Sequence, residues 1–403
     1  MKTPLLTFLL LSLGCAQTPP DPAGVQPGVE VLLEQTPPEL VGKRIGLITN
    51  QTGVGSDGVS TIDLLDSADA FELVALFSPE HGIRGAAAEG QVVASGVDPQ
   101  TGLPIHSLYG DIRKPTPEML EGIDALVFDI QDIGSRTYTY ISTMALGMEA
   151  AAENGIPFVV LDRPNPIGGT IVEGNMLDTA FATFVGMYPI TVRHGMTVGE
   201  LARLFNDRFG IGADLTVIPV EGWERGEWFD ETGLPWINPS PNIRSLDAAT
   251  HYPGTVFLEG TNLSEGRGTD LPFEQTGAPW LAADSIVAEM NAMNLPGVRF
   301  ERVDIEVDTA AARYPGQIIP GVRLITTDRE AYRPVRTGLL LIDAIYQRHK
   351  DDWEWHVSHF DRLAGTDRVR LAIEEDALAP LLEEWAAEAE RFREIRAPYL
   401  LYQ

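Results

Sequence analysis

The run Ala125-Leu126-Val127-Phe128, closed by the polar cluster Asp129-Ile130-Gln131-Asp132, decides the fold. Four consecutive apolar residues leave no face for water, which is how a strand covered on both sides reads. Three more runs in the first half of the chain have the same form. Arg44-Ile45-Gly46-Leu47-Ile48 leads into Thr49-Asn50-Gln51, Leu73-Val74-Ala75-Leu76-Phe77 into Ser78-Pro79-Glu80-His81, and Phe158-Val159-Val160-Leu161 into Asp162-Arg163. Helix-like segments mostly separate them, so the expected class is α/β with a Rossmann-like parallel sheet. Parallel strands finish on one edge, and in open sheets ligands bind outside the carboxyl ends. Carboxylates, a histidine and an arginine are thereby expected to converge on one crevice.

Outward from these strands the alternation continues. Residues 138–154 predict a helix stopped by Gly155 and Pro157, and Thr197-Val198-Gly199-Glu200 is a capping box opening a helix through Phe209. Residues 215–220 read as a further strand. Residues 221–243 hold glycine, proline and three tryptophans (Trp223, Trp228, Trp236) without a period, which predicts a long ordered surface loop. A domain boundary is expected just after it, near Asp247. The second half predicts strands at residues 255–258, 298–307 and 318–326, with helices at 281–293, 335–349 and 380–396. The expectation is a catalytic domain over residues 43–247 and a smaller α/β domain over 248–403.

With 403 residues and 44% hydrophobic content, the chain can bury a large core. Its 58 acidic and 29 basic side chains give a net charge of −29. Such a surface repels polyanions, so nucleic acid is not an expected partner. The first 15 residues read as a signal peptide, with Lys2, an apolar stretch from Leu5 to Leu13, and Ser12-Leu13-Gly14-Cys15 resembling a bacterial lipobox. Cys15, the only cysteine, would carry a lipid tether to the membrane, and residues 16–42 would be a tether and lead-in. The expected location is therefore outside the cytoplasm, periplasmic or extracellular.

Gly53-Val54-Gly55-Ser56-Asp57-Gly58 fits the dinucleotide pattern G-x-G-x-x-G. In nucleotide folds the first glycine closes directly onto the strand, whereas here residues 49–52 intervene, so a turn is the better reading and no cofactor is expected.

The densest chemistry lies in Ser78-Pro79-Glu80-His81-Gly82-Ile83-Arg84-Gly85. A carboxyl group after a buried strand, fixed by proline and flanked by glycine, suits a general acid, because partial desolvation favours the protonated form. His81 either orients it or is a hydrogen-bonded core histidine. Asp129, Gln131, Asp132 and Arg136, followed by Tyr138, form a second cluster able to bind sugar hydroxyls or, alternatively, to cap the next helix. Asp162-Arg163-Pro164-Asn165-Pro166 repeats the theme. A metal set of Asp129, Asp132, Asp162 and His81 lacks recognised ligand spacing, and no metal is expected. Asn262, Glu265 and Arg267 stand in a glycine-punctuated segment over residues 258–270.

These motifs, Phe77 to Gly82, Asp129 to Tyr140, Asp162 to Pro166, Phe257 to Thr269 and Tyr399 to Tyr402, resemble the exo-β-N-acetylmuramidase family over roughly residues 43–403. The resemblance implies a glycoside hydrolase that releases N-acetylmuramic acid from non-reducing ends of peptidoglycan fragments. It implies also a Rossmann-like domain, a smaller α/β domain and an active site in the cleft between them. The family's catalytic glutamate falls on Glu80. Asp129, Asp132 and Glu265 are the candidates for a second catalytic group. Muramic acid carries a lactyl carboxylate on O3, so an arginine is expected to recognise it, from among Arg84, Arg136, Arg163 and Arg267, with Arg136 and Arg163 favoured. The rival readings are a metal-dependent hydrolase, a nucleotide-dependent oxidoreductase and a non-catalytic glycan-binding protein built on the tryptophan loop.

Overall fold

The computed structural model describes residues 24–80, 82–84 and 95–403. The signal segment with Cys15, and His81, lie outside the described residues. The apolar runs form β1 (Arg44–Thr49), β2 (Glu72–Ser78), β5 (Ala125–Asp129) and β6 (Phe158–Leu161), joined by β3 (Gly96–Val97) and β4 (Pro104–Ser107) between β2 and β5. A hairpin of β7 (Glu173–Met176) and β8 (Thr191–Arg193) precedes β9 (Leu215–Ile218). The main sheet runs β3-β4-β2-β1-β5-β6-β9 and is parallel except for β3 against β4.

Alternating residues of the sheet enter two apolar clusters. Leu126, Phe128, Phe158 and Val160 face α3 (Tyr140–Asn154) and α4 (Val198–Arg208), while Ala125, Val127, Val159 and Leu161 face α1 (Gly28–Glu34) and α2 (Thr61–Asp66). Each such side chain contributes roughly 1.5–3 kcal/mol by leaving water, and burial on both faces is why these strands lack polar positions. Helix α3 lies close to the sheet because Gly147 has no side chain: a Cβ there would stand 2.7 Å from Ile48 Cδ1. Helix α4 opens with the expected capping box between Thr197 and Glu200.

The second half holds α5 (Leu246–Thr255), α6 (Ala283–Ala292), α7 (Pro334–Arg348), α8 (Val357–Ala364), α9 (Arg368–Glu374) and α10 (Leu378–Arg396) around an antiparallel sheet β10-β12-β11. Its strands are β10 (Gln275–Gly277), β11 (Val298–Glu306) and β12 (Ile318–Thr326). The interior is continuous across the two halves, since Phe257, Leu339, Trp385 and Phe392 join the cluster that contains Phe128. The first half's hairpin is also tied to α10, where Glu388 accepts the Met176 N–H at 2.8 Å.

Two sequence expectations fail. Residues 255–258 are not a strand: α5 runs into a 3-10 turn, Val256–Gly260, whose apolar residues are buried between helices. A four-residue apolar run does not distinguish buried strand from buried helix. Nor do residues 24–42, the described part of the expected tether and lead-in, stand apart from the fold. Val29 and Leu32 of α1 are fully buried, and Gly28 donates to the Asp162 carbonyl at 2.9 Å, so this segment is part of the core.

Candidate functional site

The direction in which successive strands are added reverses between β1 and β5, where a nucleotide would sit in a doubly wound sheet. Here the chain itself fills that crevice. Thr49 donates its hydroxyl to the Asp129 carbonyl at 2.7 Å, and Arg163 donates through Nε and Nη2 to both carboxylate oxygens of Asp129, with Thr61 as a further donor. The glycine-rich turn is held by Glu30, which accepts the Ser56 N–H at 2.6 Å. A cavity of only about 10 Å³ remains beside Thr52, Val54 and Arg163. This arrangement gives no room for a dinucleotide.

The polar edge opens instead beyond β2. Ser78 pairs with Ser107 of β4, and two residues further along each strand Tyr109 donates its hydroxyl to Glu80 Oε1 at 2.8 Å. Tyr140 stands close enough to feel the same carboxylate. Burial first, and the charge of Glu80 next, push its phenol above the ordinary range. Its hydroxyl donates to the Pro239 carbonyl at 2.8 Å, and the Gln51 amide donates to the carbonyls of Asn238 and Pro239. The 221–243 loop is thereby fastened over the strand ends.

A file of edge-to-face rings leads away from Glu80. Tyr140 meets Tyr138 with centroids 5.1 Å apart, Tyr138 meets Tyr252 at 5.7 Å, and Tyr252 meets Phe273 at 4.8 Å. The Arg267 guanidinium lies over Phe273, 4.8 Å from its centroid. Arg267 Nη1 is 2.9 Å from Glu259 Oε1 and 3.1 Å from Glu265 Oε1. Both glutamates line a cleft of about 1020 Å³, with Asn242, Arg244, Arg313, His356 and His359 on its walls. Burial alone would favour the protonated form of Glu259, but Arg267 and His359 outweigh it and hold the carboxyl below its ordinary range. Glu265 Oε2 is buried without a hydrogen-bond partner and lies 4.0 Å from Arg313 Nε.

Several expected site residues instead serve the fold. Arg84 is ion-paired with buried Asp98, at 2.9 Å through both Nε and Nη2, and with Asp63 at 3.2 Å. Arg136, 1% exposed, donates to the carbonyls of Asn175, Ile190, Leu363 and Ala364, and burial pushes its guanidinium down to about 9. Arg163 is taken by Asp129. Neither favoured arginine can therefore meet a substrate carboxylate, because the guanidinium in each case is buried and already bonded. Asp129, fully buried with both oxygens occupied, is likewise excluded as a second catalytic group.

Asp162 accepts from Tyr402, Thr197 and the backbone of Gly199 and Arg163, which makes it a structural hub rather than a sugar ligand. Asn165 spans the Met196 carbonyl and the Ile167 N–H, and Asn262 spans Asp352 and Glu354. Gln131 donates to the carbonyls of Asp132 and Pro164. Asp132 differs from these: Oδ2 accepts the Gly134 N–H at 2.7 Å and is 3.3 Å from His194 Nε2, while Oδ1 is buried without a partner.

Sequence reasoning missed Tyr109, His194, Arg244 and Arg313. Tyr109 follows a strand with mixed polarity, and only the β2–β4 register reveals its place. Of the three loop tryptophans, Trp223 and Trp228 are 5% and 2% exposed and cannot stack on a glycan, while Trp236 is partly exposed and packs edge-to-face on Phe229, 5.1 Å between centroids.

Two family descriptions match the chain: "Exo-beta-N-acetylmuramidase NamZ, N-terminal" over residues 45–247 and "Exo-beta-N-acetylmuramidase NamZ, C-terminal" over residues 250–402. A Bacillus subtilis (strain 168) protein named peptidoglycan beta-N-acetylmuramidase NamZ is 46% identical over 380 residues, 94% of this chain and 91% of that protein. Two crystal structures of DUF1343 family proteins from Bacteroides fragilis NCTC 9343 are similar. One is 37% identical with a TM-score of 0.88, the other 34% identical with a TM-score of 0.73, and each covers 94% of this chain and 99% of its own.

Proposed function

The chain belongs to the exo-β-N-acetylmuramidase family, and from that premise we propose that Glu80 carries the reaction of the site described above. The protein is an exo-acting glycoside hydrolase that releases N-acetylmuramic acid from non-reducing ends of peptidoglycan fragments. The observation that carries the site assignment is the half-buried Glu80 carboxyl group at the sheet edge, held by Tyr109 and bordered by Tyr140. As a general acid, Glu80 passes its proton to the glycosidic oxygen while the bond from that oxygen to the anomeric carbon breaks. The leaving sugar then departs as a neutral alcohol.

Glu265 takes the second role. Glu265 lines the cleft with Oε2 unpaired just beneath its surface, and Arg267 and Arg313 stabilise its negative charge, which suits a group that activates water or orients the acetamido group. Asp132 is the remaining candidate for a second catalytic group, oriented by the Gly134 N–H and 3.3 Å from His194 Nε2. The signal-like segment and the Ser12 to Cys15 motif support an exported enzyme anchored through lipidated Cys15.

The direct test is incubation with a chromogenic β-N-acetylmuraminide beside the matching β-N-acetylglucosaminide. Release from the muraminide alone is the expected result. Binding of muramyl sugar without any release would contradict the glycosidase assignment.

A further inference from the structure

We propose that Arg244 recognises the lactyl carboxylate of muramic acid; the proposal rests on the glycosidase reading above. A protein with a net charge of −29 repels an anionic sugar unless the cleft supplies a local cation. The arginines in the sequence motifs do not supply one without a partner. Arg84 and Arg163 are paired with carboxylates, Arg136 is buried among carbonyls, and Arg267 lies between Glu259 and Glu265. Arg313, also in the cleft, donates to the carbonyls of Glu259, Thr261 and Leu263.

Arg313 also has the Glu265 carboxylate 4.0 Å away, whereas Arg244 has none so near among the described residues. It is solvent-exposed and lines the same cleft as Glu265. Nε donates to the Pro241 carbonyl at 2.8 Å and Nη1 to the Thr269 carbonyl at 3.2 Å, so neutral acceptors fix the side chain and leave its charge uncancelled. Among the described residues no carboxylate stands within ion-pair distance of it. Two of its five N–H donors are used in this way, which leaves others for an incoming anion.

The position also fits the reaction. Arg244 lies on the loop fastened over the strand ends, where the Pro239 carbonyl meets the Tyr140 hydroxyl beside Glu80. Arg244 is five positions beyond Pro239, a span of at most about 18 Å between their Cα atoms. One loop thus holds both the aromatic wall next to the proton donor and an unneutralised guanidinium. A single muramic acid has the same two features, a glycosidic oxygen to be protonated and a carboxylate carried on O3. The planar guanidinium suits that carboxylate better than a lysine would.

The experiment compares wild type, Arg244→Ala and Arg244→Lys on an aryl β-N-acetylmuraminide and on the same compound with its lactyl acid converted to the neutral amide. Arg244→Ala is expected to lose about 10- to 100-fold in kcat/KM on the acid, the range for a hydrogen bond to a charged group. On the amide it should change by about twofold or less, because the removed charge had no partner there. Arg244→Lys should recover part of the loss on the acid only. Normal wild-type turnover with equal losses on both compounds, or with none, would overturn the subsite alone. Failure of the wild type to hydrolyse either compound would overturn the glycosidase reading and the subsite with it.

Discussion

Tyr109 and Glu80 occupy equivalent positions just beyond the ends of neighbouring strands, each two residues past the paired serines Ser107 and Ser78, and their side chains meet across 2.8 Å. The register of the sheet therefore sets the position of the proton donor. Tyr109→Phe removes the hydrogen bond and keeps the ring. The expected outcome is a fall in kcat of about tenfold with KM little changed, since the bond orients the reacting carboxyl rather than the sugar. Steady-state kinetics on the muraminide check it, and a rise in KM at constant kcat would assign Tyr109 to binding.

Arg163→Ala should act on stability and leave specificity alone. It would strand the fully buried Asp129 without its cation, a change that costs about 3–5 kcal/mol. Denaturant unfolding measures the loss. The ratio of acid to amide turnover should match the wild type's, whereas a selective loss on the acid would place Arg163 at the lactyl group.

Arg136→Met should be destabilising in the same way, because it takes a donor from the carbonyls of Asn175, Ile190, Leu363 and Ala364, of which Ile190 keeps only the Leu177 N–H and Ala364 only the Asn175 amide among the described partners. A buried acceptor without a partner costs about 1–3 kcal/mol. These carbonyls belong to both halves of the chain, so hydrogen exchange should increase in the β7–β8 hairpin and in α8 together. Exchange confined to one of them would contradict the bridging role.

Asp162 makes stability depend on pH. Burial pushes this carboxyl group up to about 6, against hydrogen bonds from Tyr402, Thr197 and Gly199 that favour the charged form. The folded chain then holds the proton more tightly than the unfolded chain does. Its contribution is fully present below the ordinary carboxylate value and is lost as pH rises to about 6, on the order of 3 kcal/mol in all. Measured against Asp162→Asn, wild type should gain stability as pH falls from 7 to 4. The opposite trend would show that the folded state favours the ionised carboxylate.

The sheet was legible because burial on both faces leaves unbroken apolar runs, and all four runs are strands. The strand-end carboxylates were legible too, but what each one does was not. Asp129 and Glu80 both follow buried strands, yet one meets a buried arginine from the end of β6 and the other a tyrosine from the end of β4. Those partners are 34 and 29 residues away, and no local pattern encodes which of them arrives. Arg244 lay hidden for a related reason: its loop has no period, and its significance comes from being exposed and without a carboxylate in ion-pair distance among the described residues, whereas Arg84, Arg163 and Arg267 are paired with carboxylates and Arg136 is buried among carbonyls.

The most direct measurement is the turnover of a muraminide with a poor, alkoxide-type leaving group by Glu80→Gln. With Glu80 as general acid, the variant should fall by about 10²- to 10⁴-fold on that substrate and by much less on an activated aryl muraminide, which needs little protonation. Near-normal turnover of the poor leaving group by a folded Glu80→Gln protein would contradict the assignment.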